Sequence, residues 1–463
     1  MADRLNALDV SFLYMEEATT AMHVGGVAIF KRPEDGFDYD KVIGLIAERI
    51  SLVPRYRQKV KWVPGHLANP VWVDDNDFDI TYHVRRAALP RPGTDEQLRD
   101  FTARIQSRRL DRSRPLWEIY VVEGLEGDRA AIITKIHHAM VDGVSAIDIA
   151  AILLDFTPEP REIEPDTWRP APEPGALALI GGVVADLVRR PGTAIETVRG
   201  EISDVRSIAG KVGRALSGVL SVGKTAMKAA PSTPLNADIG EQRRFGMLAT
   251  DLDDFKRVRK AHGGTINDVV LAVVAGGIRE WMLTRGESVT GSSSIRVMVP
   301  VSVRTNDEQG ALGNRVSSYF VDLPIGEPSP VMRLHQISYA MAAHKESSAA
   351  VGADALINMT GFAPPNLHAM GARLASSFTR RLFNTVVTNV PGPQFPLYSA
   401  GAEMLSIYPV VPLAKGQALS IGLTSYNGGV YFGLNADRDA MPDVDVLAQC
   451  IGGSLEALVA SVD

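Results

Sequence analysis

The sequence HHAMVDG occupies residues 137–143, and the rest of the chain is organised around it. The run that precedes it, residues 130–136, is largely apolar and predicts a strand that enters a core. In residues 145–156, which follow, apolar positions recur at helical spacing, so the seven residues form a strand-to-helix corner. A histidine at such a corner can point its imidazole into a cavity, and Gly143 has no side chain to block a ligand there.

The two adjacent histidines are open to three interpretations: metal ligands, packed core residues or a catalytic base. Neighbouring residues on a strand point to opposite faces, so His137 and His138 cannot easily share one ion, and we predict no metal site. A serine hydrolase is disfavoured because the sequence contains no GxSxG nucleophile elbow. Further matches along the chain favour the catalytic interpretation.

Composition sets the broad class of the protein. A chain of 463 residues exceeds one ordinary core, so we expect two domains. The formal net charge of −6 gives no reason to expect a nucleic acid partner. Cys450 is the only cysteine, which excludes an internal disulfide and suits a reducing cytoplasm. Charged residues interrupt the N-terminus and the most apolar run is short, so we expect neither a secretory signal nor a membrane-spanning helix.

Strands and helices alternate in both halves of the chain, which predicts the class α/β (α+β) with two domains of similar size. The predicted strands are residues 22–30, 59–63, 71–73, 117–123, 129–138, 295–303, 315–323 and 385–389, with a hairpin over 418–436. The predicted helices are residues 37–50, 94–105, 252–262, 265–281, 332–345 and 443–462.

The composition divides the chain into three parts. Residues 1–160 are expected to form an N-terminal domain and residues 235–463 a C-terminal domain. Residues 161–234 connect them through a Pro-rich linker followed by two or three amphipathic helices. Residues 175–230 carry eight Lys or Arg against four Asp or Glu. These helices therefore either cover the domain junction or lie on an anionic lipid surface.

Short sequence blocks from residue 8 to residue 433 carry a family resemblance. They are LD at 8–9, PVWVDD at 70–75, PLW at 115–117, HHxxxDG at 137–143, ND at 267–268, PVSVR at 300–304, TNVPGP at 388–393, SYNG at 425–428 and FG at 432–433. The chain resembles the bacterial wax ester synthase/acyl-CoA:diacylglycerol acyltransferase family, a branch of the HHxxxDG superfamily of CoA-dependent acyltransferases. HHxxxDG alone marks the superfamily, whereas its combination with PLW, ND and NVPGP marks this branch.

The resemblance implies both a fold and an activity. The fold is a pair of chloramphenicol-acetyltransferase-like domains with the active site in a channel between them. The activity is transfer of a fatty acyl group from acyl-CoA to diacylglycerol, giving triacylglycerol, and to long-chain alcohols, giving wax esters. Acyl-CoA is then a substrate, and we expect no separate cofactor. Two alternatives stay open: a condensation-type enzyme with a carrier-bound donor, and a non-catalytic lipid-inclusion protein.

The same resemblance assigns roles around the HHxxxDG block. His138 is the general base that takes the proton of the acceptor hydroxyl. His137 supports it structurally, and Gly143 keeps the corner open. Asp142 points away from the base in this superfamily and pairs with an arginine, for which we name Arg304. An orienting, triad-like role for Asp142 is the alternative.

Two asparagines are candidates for the donor that stabilises the oxyanion of the tetrahedral intermediate. Asn267 lies at a predicted helix start and Asn389 lies just before Pro391, where side-chain amides can face a cleft. Asn267 as a helix N-cap is the competing interpretation. We expect Asp268 to give structural support to the site. Because the lipid substrates are nearly insoluble in water, we also expect this cytoplasmic protein to reach a lipid surface, by peripheral attachment to the inner membrane or to lipid inclusions.

Overall fold

A computed structural model describes residues 3–33, 37, 39–140, 149–150, 152–189, 229–302, 316–346, 351–352 and 381–462. The strands are β1 Asp3–Arg4, β2 His23–Lys31, β3 Gln58–Lys61, β4 Val71–Asp74, β5 Val84–Ala88, β6 Trp117–Leu125, β7 Arg129–His137, β8 Arg243–Asp251, β9 Ile295–Ser302, β10 Val316–Leu323, β11 Val351–Gly352, β12 Thr385–Pro391, β13 Tyr398–Ser399, β14 Ala402–Val410, β15 Leu419–Tyr426 and β16 Gly429–Asp437. The helices are α1 Ala7–Met15, α2 Tyr39–Arg49, α3 Ile80–His83, α4 Asp95–Ser107, α5 Ala176–Arg189, α6 Leu252–His262, α7 Ile266–Thr284, α8 Pro330–Glu346 and α9 Val444–Val459.

Two large sheets organise these elements. The six-stranded sheet has the order β13-β14-β2-β7-β6-β5, and the seven-stranded sheet has the order β11-β10-β9-β12-β15-β16-β8. A small third sheet has the order β1-β4-β3. Most neighbours are antiparallel, but β12 runs parallel to both β9 and β15, and β5 runs parallel to β6. The predicted mixed α/β class with two sheet-rich units is confirmed.

One strand crosses between the two halves of the chain. β14 lies within residues 235–463, yet it pairs antiparallel with β2, so that Tyr408 lies opposite Val27. Every second residue of β14 is buried, which is the pattern of a strand with one face on a core. The sequence prediction missed β14. The division of the chain at residues 160 and 235 stays a prediction, and the six-stranded sheet draws strands from both sides of it.

Local sequence signals explain where the central helices begin. Thr94 and Gln97 form the predicted capping box of α4, and Thr265 and Asp268 form another at the start of α7. α7 is buried almost throughout its first three turns, between the seven-stranded sheet and α9. Gly277 allows this approach, because a Cβ there would lie 2.7 Å from the Cα of Ile451 on α9.

The Pro-rich connection runs without helix or strand over residues 160–175, as predicted. Two ion pairs hold it: Arg57, just before β3, with Asp166 at 2.6 Å, and Lys61 of β3 with Glu173 at 2.6 Å. α5 follows and buries Leu179 against the same sheet. α5 is the part of the predicted amphipathic helices that the structure describes, and residues 190–228 lie outside the described residues.

Candidate active site

The histidine pair stands at the end of β7, as the sequence predicts. His137 is the last residue of the strand and lies opposite His23 on β2, while His138 begins a short 3-10 turn. The His138 backbone N–H donates to the Met22 carbonyl at 2.8 Å. The His137 backbone N–H donates to the Leu116 carbonyl at 2.9 Å, so the backbone of both histidines is fixed and the two rings project from a rigid edge.

The His138 ring is half-buried and stacks on Phe12 of α1, with the ring centroids 4.0 Å apart and an interplanar angle of 22°. Its Nδ1 is buried and has no hydrogen-bond partner of normal geometry among the described residues. Burial lowers the pKa of His138, and the carbonyl of His138 itself acts in the opposite direction. The ring is therefore neutral at physiological pH, with a lone pair available to accept a proton.

His137 has a different environment. It is fully buried, and its Nδ1 accepts the backbone N–H of Ala139 at 3.0 Å. An accepting Nδ1 places the ring proton on Nε2, which lies 3.7 Å from Oε1 of Glu16. Burial, with the charges of His23 and Arg112, lowers the pKa of His137 to about 3. His137 is thus a neutral ring whose Nδ1 is already occupied by the backbone.

A buried carboxylate lies behind the pair. Glu16 receives two hydrogen bonds from Arg112 at Oε2, at 2.6 and 2.9 Å, and lies 3.2 Å from Nε2 of His23 at Oε1. Burial raises the pKa of Glu16, but the hydrogen bond from His23 and the charges of His137 and Arg112 outweigh it and lower the pKa to about 2. The sequence analysis missed Glu16, His23 and Arg112, because Arg112 lies 96 residues from Glu16 and no local spacing links the two segments.

The two candidate asparagines meet in the structure. Asn389 on β12 donates from Nδ2 to Oδ1 of Asn267 on the first turn of α7, at 3.3 Å. The interpretation of Asn267 as the N-cap is wrong, because Thr265 caps α7. Asp268 is buried and accepts the Thr265 backbone N–H at 2.8 Å, so its carboxylate holds the helix start in place.

The histidines and the asparagines belong to different sheets. Among the described residues, no hydrogen bond or ring contact joins His138 to Asn267 or to Asn389. Asp142, Gly143 and Arg304 lie outside the described residues, so the predicted pairing of Asp142 with Arg304 stays a prediction. Trp117 of the PLW block is a core residue: it is buried, and its indole N–H donates to the Tyr56 carbonyl at 2.7 Å.

Comparison with known proteins decides the family. The model of the wax ester synthase/diacylglycerol acyltransferase catalytic domain matches residues 5–270, and the model of the C-terminal domain of the same family matches residues 312–459. The chain belongs to the wax ester synthase/diacylglycerol acyltransferase family. The resemblance inferred from the sequence blocks is confirmed.

Curated members of the family are similar over most of their length. A probable diacylglycerol O-acyltransferase of Mycobacterium tuberculosis, tgs1, is 33% identical over 460 residues, which cover 99% of this chain and 96% of that protein. Another from the same organism, tgs3, is 44% identical over 260 residues, which cover 56% of this chain and 96% of that protein.

Solved structures agree with this assignment. The wax ester synthase/diacylglycerol acyltransferase from Marinobacter aquaeolei VT8 superposes with a TM-score of 0.73 at 27% identity, over 99% of both chains. The first condensation domain of the CDA synthetase has a TM-score of 0.55 at 13% identity, over 100% of this chain and 97% of that chain, a likeness of fold alone.

Two further observations concern metals and membranes. Within the described ranges, no group of three or more His, Cys, Asp or Glu side chains is placed to hold a metal ion. In the same part of the chain, no single helix is long and apolar enough to cross a membrane. α6 and α7 reach that length and composition only as a pair bent by 103°.

Proposed function

We propose that this family member is an acyl-CoA-dependent O-acyltransferase that esterifies diacylglycerol to triacylglycerol and also accepts long-chain alcohols. Membership of the family supports the reaction class, and the names of the curated mycobacterial relatives support diacylglycerol as the acceptor. The observation that carries the proposal is His138, a neutral, half-buried imidazole at a fixed strand end within HHxxxDG.

In the proposed mechanism His138 acts first as a base and then as an acid. Its imidazole takes the proton of the acceptor hydroxyl while the alkoxide oxygen attacks the thioester carbonyl. The tetrahedral intermediate then collapses, the carbon–sulfur bond breaks, and the CoA thiolate takes the same proton from His138. Burial keeps the His138 ring neutral before the reaction, so that one ring nitrogen carries a lone pair that can take the proton. The thiolate is a good leaving group, so no covalent enzyme intermediate is required.

We assign the oxyanion donor to Asn267 and an orienting role to Asn389. The hydrogen bond between them occupies the Asn267 carbonyl oxygen and so turns its Nδ2 away from Asn389. Nδ2 of Asn267 has no hydrogen-bond partner among the described residues and is available to a developing oxyanion. The proposal requires that both sheets face one channel, with the base on one wall and the amide on the other.

The lipid acceptor requires contact with a lipid surface, and we assign that contact to residues 175–230. Their local excess of basic residues suits an anionic surface, where each is worth about 1 kcal/mol. α5 supports the assignment, because Leu177 is 85% exposed on it. Sedimentation with anionic liposomes tests the role: charge reversal at Arg189, Arg190, Lys211 and Arg214 should weaken it, as should added salt. If sedimentation is unchanged in the variant, these residues do not bind lipid and instead cover the domain junction.

The activity is tested with the purified full chain, a long-chain acyl-CoA and either diacylglycerol or a long-chain alcohol. Release of CoA with formation of the matching ester is the expected result. The same assay with the acyl group on a carrier protein tests the condensation alternative, since a carrier-dependent enzyme would leave acyl-CoA unused. No ester from any donor, in a well-folded protein, would favour a non-catalytic lipid-inclusion role.

A further inference from the structure

A pocket of about 520 Å³ lies between the end of α4 and the start of β8. Its wall is formed by Ala18, Arg104, Ser107, Arg108, Arg109, Glu241 and Gln242. Three guanidinium groups thus line a pocket that contains one carboxylate, in a protein whose net charge is −6. The average charge of the surface, which is negative, does not account for this local excess of positive charge.

The three arginines are not used to hold the fold together. Among the described residues, no carboxylate forms an ion pair with any of them, and all three side chains are exposed. Arg104 has one contact, over the Phe101 ring at 5.9 Å. By contrast Arg99, earlier on the same helix, pairs with Asp445 at 3.3 Å. Guanidinium groups left without carboxylates at a concave surface are suited to bind phosphate, whose geometry they match.

The pocket wall is rigid because Arg243 ties its three parts together. Arg243 is buried, and its guanidinium donates to the carbonyls of Gly240, Gln242 and Thr19. Its backbone N–H donates to the hydroxyl of Ser107 at 3.0 Å. The end of α4, the loop before β2 and the start of β8 are therefore joined before any ligand arrives.

The same wall is connected to the histidine pair. The Lys135 ammonium on β7, two residues before His137, donates to the carbonyls of Ile105 and Arg108. Ala18, on the pocket wall, lies in the loop between Glu16, which contacts the pair, and Met22, whose carbonyl holds the His138 backbone. The pocket thus belongs to the rigid assembly that carries the base, while its arginines take no part in the chemistry there.

We propose that this pocket, hereafter the arginine pocket, binds the phosphate groups of the nucleotide end of acyl-CoA. The inference rests on the proposed function, in which acyl-CoA is the donor. A CoA thioester carries its phosphates at one end and its reacting carbonyl at the other, with a flexible pantetheine arm between them. A phosphate site set apart from the base, on the same rigid assembly, suits that molecule. Phosphate of a lipid headgroup is the other source of the same chemistry.

The test compares donors in the wild type and in the variant R104Q/R108Q/R109Q. We expect KM for palmitoyl-CoA to rise about tenfold with kcat unchanged, since each exposed charge pair contributes modestly. KM for palmitoyl-pantetheine, which lacks the nucleotide, should not change. Glu241→Gln should have the opposite effect and lower KM for palmitoyl-CoA. Arg86→Gln is the matched control, because Arg86 is exposed and pairs with Glu123 at 3.0 Å, and neither residue lines the pocket.

Calorimetric binding of free CoA separates this inference from the proposed function, because it requires no turnover. The triple variant should bind CoA about tenfold more weakly, and E241Q more tightly, even if no ester forms. Equal CoA affinity in wild type and triple variant would overturn the inference. So would weaker sedimentation of the triple variant with phosphatidylglycerol vesicles at unchanged KM for palmitoyl-CoA, which would assign the arginine pocket to lipid headgroups.

Discussion

The two sheets present their candidate site residues in different ways. At the end of β7, His137 lies against an ionic group, Glu16 with its partners Arg112 and His23, whereas His138 stacks on the Phe12 ring. At the start of α7, the Asn267 side chain accepts a neutral hydrogen bond from Asn389, beside a capping box formed by Thr265 and Asp268. The groups with the large pKa shifts, His137 and Glu16, therefore lie on the histidine side. The asparagine side contributes a donor that does not titrate.

This difference matches the demands of acyl transfer. The base must change its protonation state during the reaction, so its surroundings must fix its pKa and its tautomer. The oxyanion donor must keep one orientation while charge develops on the substrate. Five predictions test this division of roles, the first four in order of decreasing effect.

Replacing the base should have the largest effect. His138→Ala should lower kcat by roughly 10²- to 10⁴-fold, which is the usual contribution of a positioned acid–base group. The half-buried ring has no hydrogen bond to a described side chain, so the folded protein should survive. Ester formation and the thermal midpoint are measured together. His137→Ala is the comparison, and it should lower activity less. A greater loss in well-folded His137→Ala would assign the base to His137.

Replacing the oxyanion donor should come next. Asn267→Asp keeps the size of the side chain but removes its N–H groups, and kcat should fall by about 10²- to 10³-fold. Asn389→Ala should cost less, because in our proposal it only orients Asn267. Measurement of kcat and KM for both variants distinguishes the two roles. If Asn389→Ala proves the more damaging, the assignment of donor and orienting residue must be reversed.

Removing the buried carboxylate should act mainly on stability. Glu16→Gln leaves Arg112 without its partner, but the Arg112 side chain is 37% exposed. We therefore expect about 1–3 kcal/mol of lost unfolding free energy, less than for a fully buried pair. Urea unfolding measures the loss. Glu17→Gln is the control, since the Glu17 carboxylate pairs with Lys415 at the surface and should cost little. Equal losses of unfolding free energy in Glu16→Gln and Glu17→Gln would show that the buried Glu16 ion pair stabilises the protein no more than a surface pair does.

The smallest effect is a dependence on acid pH. Burial lowers the folded pKa of His137 from its ordinary value of 6.5 to about 3, so the unfolded chain binds more protons between these pH values. Stability from His137 is complete above pH 6.5 and declines as pH falls towards 3. Glu16, with its pKa lowered from 4.5 to about 2, adds a loss of the same sign below pH 4.5. Unfolding free energies at several pH values check the prediction.

The acid limb of activity gives a separate check on the same comparison. Burial lowers the pKa of His138, so the acid limb of kcat/KM should have its midpoint below 6.5. Asn267→Ala is used for this measurement, because Asn267→Asp would add a carboxylate that itself titrates. The midpoint of the acid limb of Asn267→Ala should equal that of the wild type. An acid limb that moves with Asn267→Ala would show that the asparagine side also influences the group that titrates.

Much of the local structure could be predicted from the sequence. Apolar periodicity predicted β2, β6, β7 and α2, and capping residues predicted the starts of α4 and α7. The turn between β15 and β16 was predicted from Asn427 and Gly428, which adopt positive φ angles of 43° and 84°. These features depend on residues only a few positions apart in the sequence. A short stretch of sequence is therefore enough to predict them. The HHxxxDG block with its companions also predicted the family.

Only the tertiary structure decided which distant segments meet. Buried and less buried residues alternate along β14, as expected of a strand, but its sequence does not indicate that it pairs with β2 of the other half of the chain. Glu16 meets Arg112 across 96 residues, and Asn389 meets Asn267 across 122. A carboxylate or an amide can be satisfied by any complementary group, so the sequence does not select its partner. The packing of the two sheets selects it, because burial leaves each polar group only the neighbours that the fold provides.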